Sequence, residues 1–236
     1  MKIGVIIRSV GERTAQLCYD AVAQTMPDTS ISIVENHYPF SSAIYRMVEI
    51  AEHAKYDWYL GLDADVILCP TWLDIAQHYM SDKYYRIDFI GIDRFIGQAP
   101  VGAHLYNGRF NAKIRKALGQ TENTTKPEGN IRHIIDVPQH QPTVLIGHHG
   151  FEQYRRDIFA RFALRAVRNP EYVKKHGLFS GKLCVEESIA KSGWDYGLLH
   201  PVEAQAFLDA RNKLHYKHEF PPLSMSLKEF YLTNRL

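Results

Sequence analysis

The first 70 residues of the chain switch between strand-like and helix-like periodicity twice in succession, and few folds accept that order. Ile3 to Ile7 is a short apolar run. After the polar turn RSVGERT, Leu17, Cys18, Ala21 and Val22 recur at helical spacing. Met26-Pro27-Asp28 stops that helix, because proline lacks the amide donor and its ring obstructs the preceding turn. Ser30 to Val34 reads as a second strand. Beyond the turn at Pro39, Ala43, Ile44, Met47, Val48, Ala51 and Ala54 mark a second amphipathic helix, and Asp57 to Leu62 a third strand. Strands joined through helices run parallel with right-handed crossovers, so this β-α-β-α-β order predicts an α/β fold with a mostly parallel central sheet flanked by helices. Ligands of such sheets gather at the carboxyl ends of the strands, where RSVGERT, ENHYPF and DAD fall.

The third strand lies in YDWYLGLDADVIL and sets Asp63 and Asp65 one residue apart at its end. Strand alternation projects both acids to one side, and a cation between them relieves their repulsion. Oxygen ligands of this kind suit Mg²⁺ or Mn²⁺, which also bridge to the phosphates of a nucleotide. The competing reading is a surface loop with two solvated acids, but the apolar run Val66 to Leu68 that follows argues against solvation.

Trp72, Leu73, Ala76, Tyr79 and Met80 predict another helix, and Asp88 to Ile92 another strand. From about 93 to 142 the pattern weakens under Gly, Pro, Asn, Thr and His. Only Gly108 to Leu118 looks helical there, so a long irregular excursion or lid is expected. Order returns with a strand from Thr143 to Ile146, the turn GHHG and a helix from Phe151 to Val167. A helix from Val185 to Lys191, a strand from Trp194 to Leu199 and an irregular tail with Pro221-Pro222 complete the expectation.

At 236 residues, 45% hydrophobic and 23% charged, the chain has the composition of a soluble globular protein, and one domain, 1–236, is expected. A net charge of +2 is too small to imply a polyanion partner by itself. Cys18, Cys69 and Cys184 are scattered and odd in number, which fits a reducing compartment. The apolar run at the start is too short for a signal peptide and none reaches the ~20 residues of a membrane span, so a cytoplasmic location is expected, in a host cytoplasm if the gene is a phage's. Asn123-Thr124-Thr125 matches a glycosylation acceptor that this compartment would leave unused.

Read in order, the segment from Gly4 to Leu68 resembles the nucleotide-sugar half of GT-A-fold (Rossmann-like) glycosyltransferases, especially the large inverting family related to cellulose and chitin synthases. The shared features are a first strand and polar turn, a helix ending near Gln24-Thr25-Met26-Pro27-Asp28, a second strand ending in an acid, an Ala/Arg-bearing helix and a strand ending in a DXD motif. LCVEESIAKSGWDYGLL resembles the group's later motif, an acidic pair opening a helix, then a Gly-aromatic turn and a strand. The resemblance implies a nucleotide-sugar-binding half at 1–92 and an acceptor-side half at 93–236. Arg8, Ser9, Glu12 and Arg13 then back the nucleotide, and Glu35 accepts a hydrogen bond from its base, commonly uracil. Asp65 binds Mn²⁺ or Mg²⁺, and Asp63 contacts the ribose or the metal's water. Glu186 or Glu187 becomes the general base that takes the proton of the attacking hydroxyl; the plain alternative is that both are helix N-terminal acids stabilised by the macrodipole. Arg46 either reaches a phosphate or pairs with Glu49 or Glu52. His148 and His149 of GHHGFEQYRRD line the sugars or are turn residues, and His215 or His218 completes the metal or diphosphate site.

Arg155, Arg156, Arg161, Arg165 and Arg168 make one helix strongly basic. At about 100° per residue Arg161, Arg165 and Arg168 share a sector of about 60°. Such a stripe is either a solvated face or a track for a polyanion, the latter suiting an enzyme that sugars hydroxymethylated bases of phage-type DNA. The expected activity is therefore metal-dependent, inverting transfer from a UDP-sugar to the hydroxyl of a glycan or of such a base, with the oligomeric state open. The alternatives are a sugar nucleotidyltransferase and a non-catalytic nucleic-acid- or glycan-binding protein on a degenerate transferase fold. The first needs a glycine-rich, lysine-bearing triphosphate loop, and RSVGERT has one glycine and no lysine. A metallohydrolase would need a paired-histidine spacing that the sequence lacks.

Overall fold

A computed structural model describes residues 1–37, 40–120, 128, 131–151, 153–180, 182–205 and 225–233. β1 (Ile3–Ser9), α1 (Ala15–Ala23), β2 (Ile31–Glu35), α2 (Phe40–Ala54) and β3 (Trp58–Asp63) follow one another as the alternation predicts. β2 and β3 both pair parallel with β1, and the register sets Arg8 beside Val34 on one side and Asp63 on the other. Strand alternation then sorts the core into two faces. Val5 and Ile7 pack with Leu17, Cys18 and Val22 of α1, while Ile6 packs with Ala43, Ile44 and Met47 of α2. Covered on both faces, β1 and β3 are apolar nearly throughout, as buried parallel strands are.

The chain continues through β4 (Val66–Leu68), α3 (Trp72–Tyr79), β5 (Arg86–Asp93), β6 (Gly97–Asn107), α4 (Asn111–Gly119), β7 (Gln139–His140) and β8 (Leu145–His149). It then forms α5 (Arg155–Arg168), α6 (Tyr172–His176), α7 (Val185–Leu199) and α8 (Leu227–Thr233). The sheet order is β2-β1-β3-β6-β5-β8-β4, with β7 beside β5. β6 runs against β3 and β5, and β4 against β8, while the remaining strands share the direction of β1. The sheet is therefore mostly parallel and Rossmann-like, with helices on both faces.

Three expectations fail. First, the stretch expected to be irregular holds β6, an eleven-residue strand inserted in the middle of the sheet. Its alternation is present in Ala99, Val101, Ala103 and Leu105, all buried. The intervening Gly102 and His104 hide the pattern because they too face packed surroundings: a Cβ on Gly102 would collide with the Asp63 carboxylate, and His104 pairs with Asp88. Second, Trp194 to Leu199 is not a strand; α7 runs unbroken through it. Gly193 and Gly197, four residues apart, lie on the backbone carbonyls of Phe159 and Ala163 of α5, where a Cβ at either would clash. Glycines that suggest a turn in sequence are here a helix-packing seam. Third, His148 and His149 end β8, and the turn begins only at Gly150, whose φ of 73° suits glycine.

Candidate active site

The β1–α1 turn organises the carboxyl edge of the sheet. Gly11 turns the chain with φ 88°. The Glu12 carboxylate folds back and accepts hydrogen bonds from the Ser9 hydroxyl and the Val10 amide, both at 2.8 Å. The end of β1 is tied to its neighbours as well. Ala64 N donates to Arg8 O at 3.0 Å, Thr14 Oγ1 donates to Ala64 O at 2.9 Å, and Asn36 N donates to Ser9 O at 2.9 Å. Gly150 N donates to Asp65 O at 3.2 Å, which ties β8 to the DAD turn.

Asp63 and Asp65 part company at this edge. β3 ends at Asp63, and Ala64-Asp65 already forms the turn into β4, so strand alternation no longer sets their directions. Each lies against its own protein cation. Asp63 lies 2.8 Å from Arg8, whose other terminal nitrogen donates to Glu128 at 2.5 Å. Asp65 lies 3.3 Å from Nε2 of His149, whose Nδ1 is 2.8 Å from Asp93; Asp93 in turn pairs with Arg161 at 2.7 Å. Burial raises Asp63 from the ordinary carboxylate range against the pull of Arg8. Burial alone would lower His149, but Asp65 and Asp93 outweigh it and lift the imidazole to about 9. For Asp93 the balance reverses: burial opposes, yet His149 and Arg161 hold the carboxyl well below the usual range.

Two cavities flank the β1–α1 turn and share Gly11 and Glu12. One, of about 50 Å³, is lined by Glu12, Asp65, Gln153, Asp157 and Arg161. The other, of about 190 Å³, is lined by Ser9, Arg13, Gln16, Glu35, Asn36 and Tyr154. Glu12 is pushed up to about 7, first by burial and then by the charge of Asp65. Among the described residues no group of three or more His, Cys, Asp or Glu side chains forms a metal cage. Glu12 and Asp65 both line the smaller cavity, and a pair of carboxylates could hold Mg²⁺ or Mn²⁺ if phosphates and water supplied the other ligands.

The remaining candidates divide. Glu35 and Arg13 line the larger cavity. Arg46 is half-exposed, pairs with Glu49 at 3.0 Å and lines neither cavity. His148 is a core histidine, 1% exposed and set edge-on to the rings of Phe151 and Phe230 at 5.1 and 5.6 Å. Among the described residues neither of its ring nitrogens has a hydrogen-bond partner, and burial lowers its pKa, which favours the neutral ring in this packed setting. Glu187 caps α7 by accepting from Cys184 N at 2.9 Å, whereas Glu186 approaches Arg94, at the end of β5, to 3.9 Å. Glu186 is held low by its own helix-terminal amide, with the Cys184 thiol and Arg94 adding to it. His215 and His218 lie outside the described residues. The basic stripe is consumed internally: Arg161 pairs with Asp93, and Arg165 stacks 4.1 Å from the ring of Tyr172. Of the three, Arg168 is left on the exposed surface.

Asp93, Asp157, Tyr154 and Glu128 join the site without having been singled out. Asp93 obeys the rule that finds Asp63, an acid closing an apolar strand, IDFIGID. Glu128 carries no local signal, being an isolated acid in KPEGN.

No family model matches the chain, and no curated protein matches it. Among solved structures, a glycosyltransferase involved in the glycosylation of the major capsid of PBCV-1 is 11% identical, with a TM-score of 0.46 over 66% of this chain and 97% of that one. The 4-diphosphocytidyl-2C-methyl-D-erythritol synthase of Anaerococcus prevotii is 8% identical, with a TM-score of 0.46 over 65% and 89%. A CMP:2-keto-3-deoxy-manno-octonic acid synthetase complexed with CTP is 11% identical, with a TM-score of 0.44 over 72% and 100%. Identities this low and superpositions this loose say nothing about activity, which has to come from the site's own geometry. Among the described residues no helix is long and apolar enough to cross a membrane.

Proposed function

We propose that the chain is a GT-A-type glycosyltransferase that moves a sugar from a nucleoside-diphosphate sugar to an acceptor hydroxyl with the help of Mn²⁺ or Mg²⁺. The observation that carries this reading is the convergence of Glu12 and Asp65 on one cavity, with a second cavity edged by Glu35 directly across the β1–α1 turn. In this reading the nucleoside occupies the larger cavity. Glu35 accepts a base N–H, which suits uracil, and Tyr154 offers a ring face. Glu12 and Asp65 hold the divalent cation, which neutralises the charge of the departing diphosphate. His149, 3.3 Å from Asp65 and anchored by Asp93 at 2.8 Å, fixes the orientation of the Asp65 carboxylate. Glu186 takes the proton of the attacking hydroxyl, and Arg94 orients it. Transfer with inversion follows if the hydroxyl attacks opposite the diphosphate.

Nucleotidyl transfer fits the turn less well. A triphosphate cradle needs free backbone amides, and here Glu12 already accepts from Val10 N while the Ser9 hydroxyl accepts from Gly11 N at 3.1 Å. The test is a thermal-shift panel of nucleotide sugars with and without Mn²⁺. Wild type is expected to gain several degrees with its donor only when Mn²⁺ is present, and Asp65→Ala to gain nothing. Equal shifts with and without the metal, or none with any nucleotide, would sink the proposal.

A further inference from the structure

We propose that Asp93 is a positioning residue for the smaller cavity: it anchors His149 beside Asp65 and holds Arg161 off that carboxylate, so that Asp65 stays open to a divalent cation; this deepens the transferase reading and rests on it for what the cation does. Asp93 lines neither cavity, and its side chain is 2% exposed. Asp65 and Arg161 both line the smaller one, so opposite charges share a space of about 50 Å³. A guanidinium is a strong partner for a carboxylate, and a pair closed across that space would compete with any metal ion.

The two oxygens of Asp93 do different things. Oδ1 accepts the backbone amides of Phe95 at 2.9 Å and Ile96 at 3.3 Å, in the turn that leaves β5, which fixes the carboxylate to the chain. Oδ2 lies 2.7 Å from Arg161 Nη2 and 2.8 Å from His149 Nδ1. A carboxylate only accepts, so Nδ1 carries the hydrogen of that bond. The opposite ring nitrogen, Nε2, is 3.3 Å from Asp65, and the ring that Asp93 orients is thus the ring that abuts Asp65. Gly150 shows how near the guanidinium comes: its amide donates to Asp65 O at 3.2 Å, and a Cβ on it would stand 2.7 Å from Arg161 Nη1. Without the charge at position 93 the guanidinium loses its buried partner and turns to Asp65, while His149 loses the acceptor that sets its ring. Both changes take Asp65 away from the metal.

The experiment compares wild type with Asp93→Asn, which keeps an oxygen for the two amides and puts a donor in place of Oδ2. In metal-free protein the ¹⁵N resonances of the His149 ring and of Arg161 Nε are expected to shift. Calorimetry is expected to show UDP binding in Mn²⁺ weakened about tenfold, as when the support of a metal ligand is removed, with UDP binding in chelator little changed. Asp93→Asn/Arg161→Gln removes the stranded cation together with the anion and serves if Asp93→Asn does not fold. It should still shift the His149 resonance. Unmoved resonances overturn the proposal, as do an unchanged affinity in Mn²⁺ and a loss of UDP affinity that is equal with and without the metal. If the resonances move but wild type itself binds no UDP in Mn²⁺, the transferase reading fails while the hold of Asp93 on His149 and Arg161 stands.

Discussion

Asp65 sits between two groups whose protons the fold retains. His149 is lifted from an ordinary 6.5 to about 9, and Glu12 from 4.5 to about 7. A raised folded-state pKa favours the protonated group in the native state, so the stability each contributes is complete below its unfolded value and lost as pH rises through its folded one. The Glu12 contribution is lost between about 4.5 and 7, and the His149 contribution between about 6.5 and 9. In chelated buffer the thermal midpoint should fall between pH 6.5 and 10, with the His149 share on the order of 3 kcal/mol. His149→Gln should flatten the limb near 9. A midpoint constant over that range in wild type would refute the buried Asp65–His149–Asp93 chain. The acidic pair of α7 separates by a different readout. Glu187→Ala removes a cap and should cost about 1 kcal/mol of stability with little change in kcat. Glu186→Ala should leave the melting point near wild type and lower kcat at least about 100-fold; the opposite assignment would exchange base and cap. That Asp65, Glu35 and Glu12 fall on one edge was legible in the sequence, because the ends of strands in a β-α-β run and the turns that follow them gather there. Glu128 and the burial of His148 were not, since both depend on partners more than 60 residues away in the chain.

The secondary-structure elements show where local pattern stops informing. β1 to β3 with their helices were readable because each apolar period reflects one buried face and the connections are short. β6 was hidden because the positions between its buried apolar residues, Gly102 and His104, meet a neighbouring carboxylate instead of solvent. α7 was cut in two because Gly193 and Gly197 serve the approach of α5. That seam makes an unusual prediction. In an exposed helix Gly→Ala gains about 1 kcal/mol, yet Gly193→Ala and Gly197→Ala should each destabilise by about 1–3 kcal/mol, because the added methyl meets backbone that cannot yield. Chemical denaturation of the two variants decides the sign, and a stabilised variant would mean that the helices are not packed this closely.

Across the whole molecule, residues distant in sequence converge on the carboxyl edge of one sheet. The β1–α1 turn brings Glu12, the β3–β4 turn Asp65, β8 His149, β5 Asp93 and α5 Arg161. Behind them α8 seats Phe230 against Phe151 and His148, and Tyr231 hydrogen-bonds to the carbonyl of Leu68 at the end of β4. The parallel half of this architecture follows from periodicity alone; the antiparallel insertion and the ionic chains that connect the strands needed three dimensions. The central claim is that this edge splits a nucleotide sugar at the sugar–phosphate bond. It is tested most directly by incubating the protein with a panel of nucleotide sugars and Mn²⁺ and identifying the nucleotide released by mass spectrometry. The account predicts a nucleoside diphosphate, formed by wild type and not by Asp65→Ala. Release of a nucleoside monophosphate or triphosphate, or no Asp65-dependent product from any donor, would contradict it.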